Sequence, residues 1–384
     1  MIEKNRIQSI DYVRGIVMVF MALDHVRDFF SNSAVAPDYN APAVIFLTRW
    51  ITHFCAPTFV FLAGVSAFLY GNKVASIPSL SRFLFLRGAL LVILEITIVR
   101  VGWTFHPGFE FIELQVIWAI GISMILLSGF VWLPIWASGI LGTIIIAGHN
   151  LLDGIYYSHF SQLGWVWKIL HQPGSIYSTW GIPIYVVYPL IPWIGVMMVG
   201  YCFGRIMATE PDRHRYFLIT IGAVMLILFF ILRFNFSYGD PFIWSAHDSL
   251  RQSIFTFMHC TKYPPSLEFL LMTLGPMLIV IALLQNCSGK IMEPLRTFGR
   301  VPLLFYLIHL PLIHGFAVIL EIIRGQNIQW LFRGFPPVNK PYHYGYEIYW
   351  VYLIWIFIII LMYPLCRFFS SQKQKRKGWW MSYF

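Results

Sequence analysis

The sequence predicts an all-α fold, a polytopic membrane bundle of about ten transmembrane helices with both termini on the cytoplasmic side. Three observations predict it. Of 384 residues, 58% are hydrophobic and only 11% charged, whereas a soluble domain carries about 25% charged residues. The apolar residues are gathered into runs of roughly the 20 residues that a spanning helix needs. Lys and Arg are rich in alternate connecting loops and sparse in the others, as topology-setting charges are.

The predicted spans lie near 10–30, 43–70, 80–101, 113–130, 131–149, 185–204, 215–234, 265–286, 299–323 and 348–369, the fourth and fifth joined by the tight turn SGFVWLP. No internal repeat or soluble domain interrupts them, so 1–384 is expected to be a single integral membrane domain. The opening MIEKNRIQSIDYVRG has no short apolar run ahead of a small-residue cleavage site, so the first apolar segment is expected to stay in the membrane. An even number of spans puts both termini on one side. That side collects Lys4 and Arg6, Lys73 and Arg82, Arg205, Arg213 and Arg215, Lys290, Arg296 and Arg300, and the tail residues Lys373, Lys375, Arg376 and Lys377. The opposite loops, including 150–184, 235–264 and 324–347, are longer and less basic. They hold Trp165, Trp167, Trp180 and Trp244, which suit an interfacial aromatic belt.

The net charge of +10 does not form one basic face, so no nucleic-acid partner is expected. The five cysteines are scattered, with no CxxC and no His/Cys ligand spacing. Neither a disulfide framework nor a metal is expected.

Ionisable residues inside spans are costly and normally face a bundle interior, a pathway or a site. The first span carries Asp11, Arg14, Asp24, His25, Arg27 and Asp28. Positions 11, 14, 18, 21, 25 and 28 follow a three-four spacing and share one helical face. Arg14 and His25 stand roughly 20° out of register and about 16 Å apart along the axis. With the N-terminus inside, Arg14 lies toward the cytoplasm and His25 in the outer half. The structural alternative is a topology-anchoring arginine with a histidine bonded to a neighbouring helix; six ionisable residues on one span argue for a site. The second span adds Arg49 and His53, and the third adds Arg87 and Glu95. The ninth, FGRVPLLFYLIHLPLIHG, repeats the arrangement of the first, with Arg300 at its cytoplasmic start and His309 and His314 deeper. At the outer end of the eighth, TKYPPSLEF sets Lys262 and Tyr263 before two prolines that suit a chain entering a first helical turn. Lys262 either snorkels there or meets a ligand.

The stretches RIQSIDYVRGIVMVFMALDHVRDFF, THFCAPTFVFLAGVSAFLYG, TKYPPSLEFLLMTLGP and FGRVPLLFYLIHLPLIH resemble the bacterial membrane proteins related to heparan-α-glucosaminide N-acetyltransferase. Arg14, ten residues and His25 also resemble the Arg/Lys-x10-His signature of membrane sugar O-acyltransferases. The resemblance implies transfer of an acetyl group from cytoplasmic acetyl-CoA to an extracytoplasmic glycan or amino-sugar acceptor. It implies that the histidine of the first span is essential, and that the protein resides in a bacterial inner membrane.

The residues are consistent with that chemistry. The planar fork of arginine suits phosphate oxygens, so Arg14, Arg300 and Arg205 are candidates to hold the anionic head of the donor. His25 would then meet the thioester and take a proton from the attacking amine or hydroxyl. Asp28, one turn on, is the candidate to orient the imidazole; Asp24 is set to assist or to pair with Arg27 or another helix. Lys262, Tyr263, His53 and His309 are candidates for contacting the acceptor. Direct transfer in a ternary complex is favoured over an acetyl-histidine intermediate.

A transporter relaying protons through the same histidines and carboxylates is the rival reading, but no pair of corresponding Gly/Pro-broken helices marks two halves. A scaffold would leave the intramembrane charges unexplained. The expected partners are acetyl-CoA, the acceptor and the lipid bilayer, and the sequence leaves a homodimer open.

Overall fold

The structure is a computed structural model of the chain. It describes residues 7–32, 39, 42–177, 181–208, 211–235, 238–333, 340, 341 and 344–375, apart from the side chains of 211–213 and 374. Lys4, Arg6, Trp180, Arg376, Lys377 and the side chain of Arg213 therefore lie outside the described residues. The structure is 76% helical.

In chain order the helices are α1 (Gln8–Phe30), α2 (Ala43–Thr52), α3 (Cys55–Val74), α4 (Ile77–Leu94), α5 (Arg100–Thr104), α6 (Val116–Phe130), α7 (Ile135–Gly148) and α8 (Gly164–Leu170). They continue as α9 (Leu190–Met207), α10 (Pro211–Asn235), α11 (Leu250–Met258), α12 (Leu267–Leu283), α13 (Glu293–Arg300), α14 (Pro302–Ile323) and α15 (Ile348–Lys375). Helices occupy all ten apolar segments read from the sequence. Seven, counted among the described residues, are long and apolar enough to cross a membrane, and α6 is a shorter apolar helix. The chain is a helical integral membrane protein.

Local chemistry sets several boundaries. Ser76 and Ser266 cap α4 and α12 by accepting the backbone N–H groups of Ser79 and Phe269, which a helix start otherwise leaves unmet. Two expected spans are interrupted. The run 43–70 breaks at His53 and Phe54, so His53 caps the C-terminus of α2 instead of lying mid-helix. The run 299–323 breaks at Val301, because Pro302 lacks an N–H and disfavours helical backbone in the residue before it. Arg300 thus ends the short helix α13; it does not begin the long one.

The chain divides into two units. The first comprises 1–55, 97–108 and 286–384. In it α1 packs against α2, α13, α14 and α15. A Cβ on Gly15 would strike the Leu295 carbonyl, and one on Gly299 would strike that of Asp11, so the two backbones touch at this crossing. Trp355 Nε1 ties α15 to α1 by donating to the Val19 carbonyl at 2.8 Å.

The second unit comprises 56–96 and 109–285. Four helix crossings there repeat the glycine device: Gly64 with Gly200, Gly88 with Gly121, Gly142 with Gly195, and Gly222 with Gly275. Small residues let membrane helices approach closely where lipid offers no hydrophobic drive to association. The unit also holds a three-stranded sheet that the all-α expectation did not include. Its strands are β1 (Ile112–Leu114), β2 (Gly174–Tyr177) and β3 (Pro183–Val186), in the order β1-β3-β2, with β3 parallel to β1 and antiparallel to β2. The strands are too short to carry a period-two signal in the sequence.

Candidate active site

The polar face of α1 is completed by α2, α5, α13 and α14, all within the first unit. Toward the N-terminal end of α1, Asp11 is buried between two guanidiniums, with Arg14 Nη1 3.8 Å from one carboxylate oxygen and Arg300 Nε 3.9 Å from the other. The glycine contact of α13 on α1 is what brings Arg300 here, since Gly299 meets Asp11 itself. Lys373 Nζ reaches the Arg300 carbonyl at 3.5 Å and adds a third positive charge. Both distances to Asp11 exceed hydrogen-bond length, so these ion pairs are loose.

Three turns along α1, His25 Nδ1 lies 2.8 Å from His309 Nε2 on α14, with the two rings nearly parallel. His309 Nδ1 lies 2.8 Å from the Phe305 carbonyl. A carbonyl only accepts, so His309 carries a proton on Nδ1, and its neutral tautomer accepts at Nε2. His25 must then donate from Nδ1, which leaves the lone pair of its imidazole on Nε2. Trp103 from α5 packs edge-on against His25 at 5.0 Å between ring centroids and stacks on Phe29 at 5.5 Å. Tyr306 approaches the same imidazole edge-on at 6.2 Å. Arg100 holds the turn after α5 by donating to the carbonyls of Pro107 and Gly108. His314 lies one layer further on, stacked on Phe105 at 3.9 Å and bonded to the Gly102 carbonyl at 3.1 Å.

The carboxylates expected beside His25 are engaged elsewhere. Arg27 bridges Asp24 at 2.8 Å and Asp28 at 3.1 Å, and Thr52 donates to Asp24 at 3.0 Å. The sequence expected Asp28 to orient the imidazole; His309 occupies Nδ1 instead, because α14 crosses α1 there and Asp28 points to its neighbour Arg27. Lys340, beyond the spans, donates to the Ser31 carbonyl at 2.7 Å and faces this cluster. Burial lowers its pKa to about 8, partly offset by the Asp28 charge.

The remaining predicted residues fall as follows. His53 is buried at the end of α2 in the first unit. Arg205 is exposed near the end of α9 in the second unit. Lys262 and Tyr263 also belong to the second unit, with the ammonium 5.2 Å from the Tyr263 ring centre and Tyr188 edge-on to that ring at 5.1 Å. Sequence reasoning missed Trp103 and the pairing of His25 with His309, since neither has a local signal: both depend on which helices cross α1.

Among the described residues, two clusters place three metal-ligating side chains together: His149, Asp153 and His171, and Asp240, Cys260 and Glu268. In the second cluster, Asp240 accepts from the Thr261 N–H, Thr261 Oγ1 and Ser266 Oγ, while Glu268 is paired with Arg233 at 2.9 Å. Those carboxylates already serve the structure. Neither cluster was foreseen, although His149 and Asp153 have a one-turn spacing.

The family model described as heparan-alpha-glucosaminide N-acetyltransferase, catalytic, matches residues 6–236. The chain belongs to this family. As a member of the acetyltransferase family it is an integral membrane acetyltransferase. The match takes in Arg14, Asp24, His25, Asp28, His53 and Arg205, and ends before Lys262, Tyr263, Arg300 and His309. No curated protein matches the chain.

Proposed function

We propose that the chain moves an acetyl group from cytoplasmic acetyl-CoA to an amine or hydroxyl of an extracytoplasmic sugar-type acceptor in a bacterial inner membrane. In this reading the whole chain, 1–384, acts as one acyltransferase domain of ten spans with both termini cytoplasmic. The observation that supports it is the His25–His309 pair, in which His25 lies on the polar face of α1 within the segment that matches the acetyltransferase family.

Arg14 and Arg300, two guanidiniums to one Asp11 carboxylate, supply positive charge for the diphosphate of the donor without its crossing the membrane. Arg205 supplies a further charge at the same predicted face. The thin pantetheine arm would run along α1 toward His25, about 16 Å further on at 1.5 Å per residue. There His25 Nε2 takes the proton of the attacking nitrogen or oxygen as its lone pair adds to the thioester carbonyl. Collapse of the tetrahedral intermediate breaks the C–S bond, and the imidazolium returns the proton to the departing thiolate. His309 holds Nδ1 throughout, keeping the base on the correct nitrogen. Trp103 and Tyr306 wall the imidazole. Asp24 and Asp28 act through Arg27 to fix the outer end of α1. Lys262, Tyr263 and His53 remain the proposed contacts for the acceptor. No metal takes part in these steps.

His25→Ala tests the assignment. Transfer should fall by roughly 10²–10⁴-fold, the scale for losing a general acid–base group, with acetyl-CoA affinity retained. Near-normal turnover in detergent by a monodisperse variant would remove His25 from the chemistry. Turnover by the wild type in detergent, where no gradient exists, separates an acyltransferase from a proton-coupled transporter.

A further inference from the structure

One cluster in the second unit has no part in acyl transfer. His149 opens a single helical turn, His149–Leu152, at the end of α7, and Asp153 follows it. His171 closes α8, at the end of the excursion that leaves from this turn. One ligand atom from each of the three side chains lies within 4.8 Å of the others. His171 Nε2 and Asp153 Oδ1 are 3.0 Å apart.

The state of His149 asks for a ligand. It is 2% exposed, and neither ring nitrogen has a partner in hydrogen-bonding geometry among the described residues, although the Pro265 carbonyl stands near the ring. His171 Nδ1 is likewise buried without such a partner. Buried polar atoms are nearly always satisfied, and those that are not call for an explanation such as an ion.

We propose that His149, Asp153 and His171 form a binding site for one divalent transition-metal ion of the zinc class. Two imidazole nitrogens and one carboxylate are a donor set for tetrahedral zinc with an exchangeable fourth position. Around zinc at about 2.0–2.1 Å, tetrahedral ligand atoms stand roughly 3.3 Å apart. The 3.0 Å pair is close to that spacing, and all three ligand atoms lie within 4.8 Å of one another. The imidazoles argue against calcium or magnesium, which take oxygen ligands, and the lack of a thiolate argues against copper(I).

The surroundings fit an ordered ligand set. Asn150 Nδ2 donates to Asp153 Oδ2 at 2.8 Å, holding the carboxylate with Oδ1 toward His171. The same Asn150 accepts from the Leu267 N–H at 2.9 Å. Outer partners of this kind fix ligand orientation and are part of a metal site. Trp167 packs against His171 at 5.4 Å and is itself held by its bond to the Ile155 carbonyl. A bound ion would lock the excursion between Asp153 and His171 to the end of α7 and, through Asn150, to the start of α12.

Full-length protein in detergent, stripped with a chelator, is titrated with zinc against a chromogenic competitor. One equivalent should bind per chain. His149→Gln and His171→Gln should each weaken binding by more than the roughly 10–100-fold that loss of an outer partner costs. Cobalt(II) on the wild type should give the intense visible absorption of a four-coordinate ion, a readout that needs no variant. Less than one equivalent of zinc, an unchanged affinity in folded variants, or a six-coordinate cobalt spectrum would overturn the site. His171 and Asp153 would then be an ion pair beside an unsatisfied histidine.

Discussion

Replacing His309 by leucine removes the acceptor that holds His25 Nδ1–H at 2.8 Å. His309 is fully buried, so in the variant water cannot readily replace the lost partner. His25 is itself half-buried, but its Nδ1 faces the buried His309 position, and a donor that loses its partner there costs about 1–3 kcal/mol. If that cost falls on the transition state, at about 1.36 kcal/mol per decade, kcat drops roughly 5- to 160-fold. The imidazole also loses the bond that dictates which nitrogen bears the proton, which pushes the effect toward the upper end. His309→Gln keeps an amide oxygen near the position of Nε2 and should recover most of the rate. The assay is release of CoA thiol by purified protein with an amino-sugar acceptor, measured for kcat, KM and the pH profile alongside acetyl-CoA affinity. The loss should lie in kcat, with donor binding intact. A monodisperse His309→Leu protein with wild-type kcat and an unshifted pH profile would refute the argument and leave the histidine pair as packing.

Arg14→Ala and Arg300→Ala should each weaken acetyl-CoA binding roughly ten- to a hundredfold, from about 1.5–3 kcal/mol for one charge-assisted phosphate contact. Arg14→Lys should fall between, and unchanged dissociation constants would make both residues anchors only. Glu113, which the structure places in strand β1 ahead of α6 and not in the apolar helix, is bonded to Gln115 at 2.7 Å and has its pKa raised by burial to about 7 from 4.5. The folded state therefore holds a proton that the unfolded state has lost, so this contribution to stability is full below about pH 4.5 and declines as pH rises to about 7. Melting curves across that window should flatten in Glu113→Gln, and an equal slope in both proteins would count against it. Gly299→Ala drives a Cβ into the Asp11 carbonyl, and overpacking of this kind costs about 1–3 kcal/mol or more. Its melting temperature should fall measurably, and no change would show that α13 can slide on α1.

The helical membrane class was legible because composition and run length are properties of the chain alone. The polar face of α1 was legible for the same reason: a three-four spacing aligns Arg14 with His25 whatever surrounds them. The partner of His25 was not. Its Nδ1 had two chemically reasonable holders, Asp28 on the same helix and a residue on another, and only the crossing of α14 on α1 decides for His309. The sequence pattern sets Arg300 at the opening of a span, yet Pro302 puts it at the end of α13, where the contact at Gly299 delivers it to Asp11 all the same. The short sheet escaped notice because three- and four-residue strands leave no periodic trace.

The paired glycines at the helix crossings bear on how such a chain tolerates change over time. At Gly88 and Gly121, Gly142 and Gly195, and Gly222 and Gly275, each glycine faces the main-chain oxygen of its counterpart. A side chain that intrudes on another side chain can be accommodated by trimming the neighbour, so most packing faults have a second-site remedy. A side chain that intrudes on a carbonyl has none, because every amino acid carries the same carbonyl. Exposed apolar positions such as Ile227 and Ile360 are open to drift, while positions dozens of residues apart must each remain glycine, with no substitution at one able to license a change at the other.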